Sequence, residues 1–330
     1  MTTVFISALK FVARLFFFIL LACCLLWGGF ALWYQLPIGG NGRIAALIVW
    51  GAFSLFVLVA EFTTKRRMSR FAAAVAIIAL FGWWSTVKPS LTRAWAPDVE
   101  HTVTATMDGN RATLHNVRHF DWRTTTDFTP RWETDTYDLD TIETVDLFLS
   151  YWGSPAIAHT LVSFGFADGR HVVFSAEIRK TINEEFSEIG GFFKEFELAM
   201  IAADESDIIR LRTNIRGEHV YRYPIRIDAA PRKQLFMLYL DTANRLAKKA
   251  EFYNTVTTNC TTVVFDMART INPGFPLDYR VLLSGYLPGY LYHEGLIEND
   301  EPLADVERQA AIGGRAAGGA AGYSARIRDE

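Results

Sequence analysis

Cys260 is the only cysteine in residues 97–330; the other two, Cys23 and Cys24, lie side by side in an apolar N-terminal run and read as filler. A lone thiol cannot form an internal disulfide. In an oxidising compartment it is either buried and inert or a nucleophile. Thr257-Thr258-Asn259 precedes it, and a helical pattern over Thr261 to Ile271 follows, stopped by Asn272-Pro273-Gly274. This spacing predicts a helix with Cys260 at its N-terminus. There the oriented amides favour a thiolate and can receive the oxyanion of an acyl transfer, with Asn259 as an oxyanion or orienting group. Such a thiol needs an imidazole to take its proton and a third polar group to fix the ring. His159 and Glu177 supply those types. An inert cysteine near a sheet-edge histidine explains the same residue types about as well; the missing partner cysteine favours the nucleophile.

The pairing of His159 with Glu177 follows from strand register. Ala156 to Arg179 holds two β-rich runs around Ala167-Asp168-Gly169, a hairpin signal. A two-residue loop would mix polar and apolar side chains on each face. A three-residue loop with Gly169 left-handed puts Val162, Phe164 and Phe166 on one face with Val172, Phe174, Ala176 and Ile178. The other face then carries His159, Ser163, His171, Ser175 and Glu177, with His159 across from Glu177.

Other candidates are weaker. His115, His119, His171, His219 and His293 show no metal-ligand spacing, and no second cysteine is available for a structural zinc, so no metal is expected. There is no glycine-rich phosphate loop and no Gly-x-Ser-x-Gly elbow. Arg179, Arg210 and Arg212 fall in strand-like context and could bind an anionic headgroup, though charge pairing on a strand face is the plainer explanation. Arg179, Arg210 and Tyr253 are the candidates for binding substrate. Asp204, Glu205 and Asp207 could pair as catalytic carboxylates, though a solvated turn explains them more simply.

The elements that position these residues divide by composition. The chain has 330 residues, 50% hydrophobic and 14% aromatic, with a net charge of −3, which excludes a generally basic nucleic-acid binder. Residues 1–96 carry nine basic residues and one acid, Glu61; the remainder carries 24 basic and 35 acidic residues, a net of −11. Residues 1–90 therefore read as a membrane anchor with three transmembrane helices at about 15–34, 44–60 and 71–87. Lys10, Arg14 and the cluster Lys65, Arg66, Arg67 and Arg70 place the N-terminus and the second link in the cytoplasm by the positive-inside rule. The domain from about 91 to 305 then lies outside the membrane, in the periplasm of a Gram-negative cell. Along it, Ile182 to Ala202 reads as loop then helix, Asp207 to Ile227 as strand, and Pro231 to Tyr253 as an amphipathic helix. Residues 306–330, rich in Gly and Ala, read as a disordered tail.

Asn116-Val117-Arg118, Ala158-His159-Thr160, Ser175-Ala176-Glu177-Ile178-Arg179, Ala203-Asp204-Glu205 and Phe252-Tyr253-Asn254-Thr255 run in that order into Thr258-Asn259-Cys260-Thr261. The series, spanning Trp95 to about Leu296, resembles the periplasmic domain of the Lnb-type lipoprotein N-acyltransferases. The resemblance implies an α+β, papain-like fold, circularly permuted because the histidine strand precedes the cysteine helix. It implies Cys260 as nucleophile and His159 as base, with Glu177 as the third member suggested by register. By this analogy Cys260 would carry an acyl chain as a thioester, taken from a membrane lipid or a neighbouring lipoprotein, to the α-amine of a lipoprotein or lipopeptide. No cofactor is required. The three spans depart from the pattern associated with the acyltransferases, which puts the acceptor in question. Rival readings are a papain-like peptidase or amidase acting on cell-wall peptide, and a non-catalytic binding module with an inert cysteine.

Overall fold

The computed structural model describes residues 2–329. The chain divides into two compact units, Met1–Pro89 with Glu188–Glu195, and Ser90–Ser187 with Phe196–Glu330. The first unit holds three long helices: α1 (Thr2–Gln35), α2 (Gly40–Ala60) and α3 (Arg66–Thr86). All three are long and apolar enough to cross a bilayer. Most of their surface is apolar and exposed; only a thin seam, including Leu25, Val57 and Ala73, is buried between them. Helices that bury so little of an apolar surface need lipid around them. Gly28 belongs to the seam, because a Cβ there would stand 2.5 Å from the Trp50 ring. A short helix, α4 (Glu188–Phe192), completes the unit.

The second unit is a mixed α+β domain. Its strands are β1 (Thr104–Asp108), β2 (Arg111–Arg118), β3 (Asp121–Trp122), β4 (Phe128–Thr129), β5 (Trp132–Asp138), β6 (Ile142–Tyr151), β7 (His159–Phe166), β8 (His171–Arg179), β9 (Glu197–Ala203) and β10 (His219–Pro224). The main sheet runs β1-β2-β9-β8-β7-β6-β10, with β5 also paired to β2. Every pairing in it is antiparallel except the single parallel contact of β2 with β9. In the β7–β8 hairpin Val162 faces Phe174 and Phe164 faces Val172, and Gly169 sits at φ +81°. This is the three-residue turn with a left-handed glycine that the matched apolar faces require. A bulge at Asn116 (φ +62°) shifts the β2–β5 register and brings both Val117 and Arg118 inside.

The helices are α5 (Glu205–Arg210), α6 (Ala229–Lys248), α7 (Cys260–Ile271), α8 (Tyr279–Leu282), α9 (Leu287–His293), α10 (Leu303–Ala310) and α11 (Tyr323–Arg326). α6 and α7 cover one face of the sheet. Phe236 and Tyr239 of α6 stack edge and face on Phe164 and Phe174 with ring centroids 4.8–5.8 Å apart.

Three expectations about elements fail. The segment expected to close as a helix at Ala202 ends instead in the fully buried strand β9. Its run Leu198 to Ala203 is too short for a helix and apolar enough for a strand buried on both faces. Asp207 to Ile215, expected as strand, is α5 followed by a π-turn, Leu211–Ile215, so Arg210 and Arg212 are helical. The tail is ordered. Ile312, Ala316, Tyr323 and Ile327 are buried against Phe148, Leu161 and Val173 on the sheet's second face, and Ile312 N–H bonds to Val220 O. Arg328 enters this layer and binds Asp146 and Glu205 at 2.6–2.7 Å. Glycine-rich composition obscured these widely spaced anchors. The hairpin face that looks polar in sequence is therefore also covered.

Candidate active site

α7 begins at Cys260 because Asn259 caps it. Asn259 Oδ1 accepts from the N–H groups of Thr261 and Thr262 at 2.9 Å, and Asn259 N–H donates to Thr262 Oγ1 at 2.8 Å. This closed capping box satisfies the first-turn amides. Asn259 Nδ2 donates to Thr255 O, so the side chain orients the helix and its amide does not point into the site as an oxyanion donor.

His159 opens β7, and its start is pinned from the C-terminal side. Ser284 Oγ donates to Ala158 O at 2.6 Å and accepts from Ala158 N–H at 2.9 Å, while Gly285 N–H bonds to Ala156 O. A Cβ on Gly285 would stand 2.0 Å from Pro155 O, so only glycine permits this approach. One residue past the histidine and one past the cysteine, the hydroxyls of Thr160 and Thr261 share a 2.7 Å hydrogen bond. That bond ties the strand to the helix beside the two reactive groups.

His159 and Cys260 are both buried, and each side chain shifts the proton affinity of the other. His159 Nε2 lies 2.8 Å from Ser175 Oγ and 3.1 Å from Glu177 Oε1. With Nε2 engaged, Nδ1 is the nitrogen left to take the thiol proton. Ser175 Oγ also donates to Glu177 Oε1 at 2.8 Å. Burial and the nearby Arg212 both work against the imidazolium, yet Glu177 and Cys260 carry the His159 pKa up to about 9. Burial likewise opposes the thiolate, but His159, the Thr160 amide and the Thr261 hydroxyl bring Cys260 below its ordinary value. Burial opposes ionisation of Glu177 as well; the charges of His159 and Arg212 and the Ser175 hydroxyl hold its carboxyl well below the usual range. All three shifts favour the charged forms, as a thiolate–imidazolium pair backed by a carboxylate would require.

Residues 128–285 match the family model described as the Lnb N-terminal periplasmic domain. Much of the second unit is thus similar to an Lnb domain. No curated protein and no solved structure matches the chain. The matched stretch contains His159, Ser175, Glu177 and Cys260, and leaves the long helices, β1 to β3 and the C-terminal layer outside it. The match to a periplasmic domain and the three helices long and apolar enough to cross a membrane are consistent with membrane anchoring of a periplasmic domain.

Of the three substrate-binding candidates, Arg179 and Arg210 are not joined to this cluster by any hydrogen bond or ion pair observed among the described residues. Arg179 of the Lnb domain gives its guanidinium to Val99 O and Glu100 O and covers the Trp95 ring at 4.4 Å. Arg210 reaches Trp122 O. Tyr253 N–H bonds to Phe196 O, and its ring packs on the core.

Two more groups surround Glu177. Arg212 Nη2 donates to Glu177 Oε1 at 3.2 Å and Nη1 to Glu218 Oε2 at 3.3 Å, so a buried arginine stands behind that carboxylate. Arg212 is charge-paired as expected, but from the π-turn and not from a strand face. The hairpin register puts Ser175 on the face of Glu177, two residues away, but does not reveal its bonds to His159 and Glu177.

The Asp204, Glu205 and Asp207 group is neither paired catalytic carboxylates nor a solvated turn. Asp204 Oδ2 lies 2.5 Å from His119 Nδ1, Glu205 holds Arg328 and Ser163, and Asp207 takes four donors from Arg118, Phe120 and Trp122. Among the described residues, His119, Glu133 and Asp135 have donor atoms close enough to share an ion. His119 already spends both ring nitrogens on carboxylates.

Proposed function

We propose that the protein is a membrane-anchored cysteine acyltransferase whose substrates are lipidated. The observation that carries this reading is the burial of Cys260 and His159 as a mutually interacting pair, with the imidazole Nε2 held by Glu177 and Ser175. In the forward step the Cys260 thiolate attacks an acyl ester carbonyl of a phospholipid or lipoprotein. The carbon–oxygen bond breaks, and the leaving alkoxide takes the proton from His159, leaving a thioester and a neutral imidazole. The α-amine of a lipoprotein then attacks the thioester. His159 accepts the amine's proton, the amide forms, and the thiolate–imidazolium pair returns. No electrons are exchanged and no metal or cofactor enters the balance. Arrangement of a histidine strand before a cysteine helix supports a circularly permuted papain-like relation.

The topology that fits this chemistry has three spans in the bacterial inner membrane, a cytoplasmic N-terminus and the Lnb domain in the periplasm. It is supported by the basic residues flanking the first helix and linking the second to the third. Residues at the C-terminal ends of α1 and α3, Gln35 and Trp84, both reach Lys194, as expected if the first and third helices run in the same direction.

The test is intact-mass spectrometry of the full-length protein after incubation with phospholipid and a diacylated lipopeptide, beside Cys260→Ser. An acyl-sized adduct on the wild type alone, released by hydroxylamine, is expected. A peptide-sized adduct would turn the reading to a peptidase. Absence of any adduct, together with a Cys260 that resists alkylation in the folded protein, would make the Lnb domain a binding module.

A further inference from the structure

The segment Glu188–Glu195 interrupts the Lnb domain between β8 and β9, yet it belongs to the compact unit of the long helices. Its attachment is specific. Gln35 Nε2, at the end of α1, donates to Phe193 O at 2.9 Å and Lys194 O at 2.7 Å. Lys194 Nζ donates in turn to Trp84 O at 3.0 Å and Val87 O at 3.3 Å, which satisfies carbonyls at the end of α3. The Phe193 ring is buried among Phe30, Tyr34 and Trp84, with centroids 5.3, 5.7 and 6.2 Å away. Tyrosine, tryptophan and lysine at one end of apolar helices are the side chains of a membrane–water interface.

Around this buried anchor the segment shows the opposite of what a water-facing loop would. Ile189 and Phe192 are 49% and 47% exposed. They follow one another by three positions on the single turn of α4, so they emerge on one side of it. Neighbouring Trp33, on α1, is 41% exposed. This apolar surface belongs to the same unit as the exposed apolar faces of α1 and α3, which lipid must cover.

We infer that Glu188–Glu195 is a membrane-embedded hook: it clamps the ends of α1 and α3, and Ile189 and Phe192 sit in the interfacial zone of the outer leaflet. The occupant of the surface is phospholipid, at the level of the glycerol backbone and upper acyl chain. The Lnb domain is then held to the bilayer twice, by the chain leaving α3 and by the hook. The strand that carries Glu177 leads into the hook, and the strand leaving it begins at Glu197. This inference rests on the three-span reading and not on the acyltransferase chemistry.

The experiment uses the full chain in phospholipid nanodiscs, with Cys23, Cys24 and Cys260 replaced by serine. One nitroxide label is attached at a time to Ile189→Cys, Phe192→Cys, Ile78→Cys on the exposed face of α3, or Gly169→Cys at the hairpin tip. Collision with oxygen, which partitions into lipid, is compared with collision with a water-soluble nickel chelate. The ratio at 189 and 192 is expected to exceed that at 169 several-fold and to fall below that at 78. Labels at 189 and 192 as open to nickel as 169, with 78 still in lipid, would overturn the hook and leave the spans intact. A water-exposed label at 78 would overturn the span reading, and the hook with it. Two separate labelling positions guard against one substitution disturbing the Phe193 anchor.

Discussion

Two buried or half-buried histidines of the second unit are each held by carboxylates, and they differ in what their ring nitrogens face. His159 gives Nε2 to Glu177 and Ser175 and leaves Nδ1 uncommitted, while the Cys260 thiol interacts with the ring. His119 gives Nδ1 to Asp204 and Nε2 to Asp135, at 2.5 and 2.9 Å, and has no nitrogen left. Both imidazoles are raised, to about 9 and about 10, despite burial that works against each. A raised imidazole therefore does not by itself mark a base. What marks one is a ring nitrogen left free to take a proton from a neighbouring group. His119 instead joins elements: its two carboxylates come from β5 and from the turn after β9, while its neighbour Arg118 grips Asp207 of α5 at 2.9–3.0 Å. On the reading proposed above, one region stores charge to react; the other stores it to hold strands together.

The sharpest way to break the comparison is to remove each imidazole and measure alkylation of Cys260. In detergent or nanodiscs at pH 6 to 7, His159→Ala is expected to slow the reaction roughly 100-fold or more, since burial of the thiol is then opposed only by the Thr160 amide and the Thr261 hydroxyl. His119→Ala is expected to leave the rate unchanged in the protein that remains folded. Equal losses in the two variants would mean that both histidines act only through stability. Unchanged rates in both would mean that the thiolate owes nothing to His159.

The second contrast is the pH dependence of stability. The folded pKa of His119 lies above its unfolded value, so the folded state holds a proton that the unfolded state releases. Its contribution is complete below about 6.5, the ordinary histidine value. It is lost as pH rises through about 10. Asp135 is shifted the other way, its burial outweighed by the His119 hydrogen bond, so its share is lost on acidification below the carboxylate range. His119→Gln is expected to cost about 2 kcal/mol near neutrality, the worth of hydrogen bonds to a charged group. It is also expected to flatten the fall in stability between pH 7 and 10, read by urea unfolding with the membrane unit kept in detergent. A variant that keeps the wild-type slope would show that other groups titrate there.

The same contrast explains what the sequence made legible. The register of the β7–β8 hairpin could be worked out because a one-residue slip would exchange every apolar side chain for a polar one. That register put His159 opposite Glu177, and the helix stop and cap signals around residues 259–274 put Cys260 at an N-terminus. Arg118, His119 and Arg212 were not legible as partners, because ion pairs between distant segments leave no period in the chain. The covered second face was missed for a related reason. Its lid is four apolar side chains spread over residues 312–327 among glycines and alanines, and Arg328 completes it only once Asp146 and Glu205 have been brought together by folding.

The smallest expected effect tests how far the reactive region depends on its backbone frame. Asn259 does no chemistry in this geometry; it accepts from the amides of Thr261 and Thr262 and so fixes where α7 starts. Asn259→Ala is expected to cost about 1 kcal/mol of stability, the usual worth of an N-cap. Asn259→Asp keeps the acceptor and adds a negative charge beside the first turn, so it is expected to restore stability. That charge also disfavours a neighbouring thiolate, so alkylation of Cys260 at pH 6 is expected to fall below wild type in the aspartate variant although the fold is restored. Stability and reactivity would then separate at a single position. If the two instead recovered together, the thiolate would depend on the cap's geometry alone, and the charge balance drawn around Cys260 and His159 would need another source.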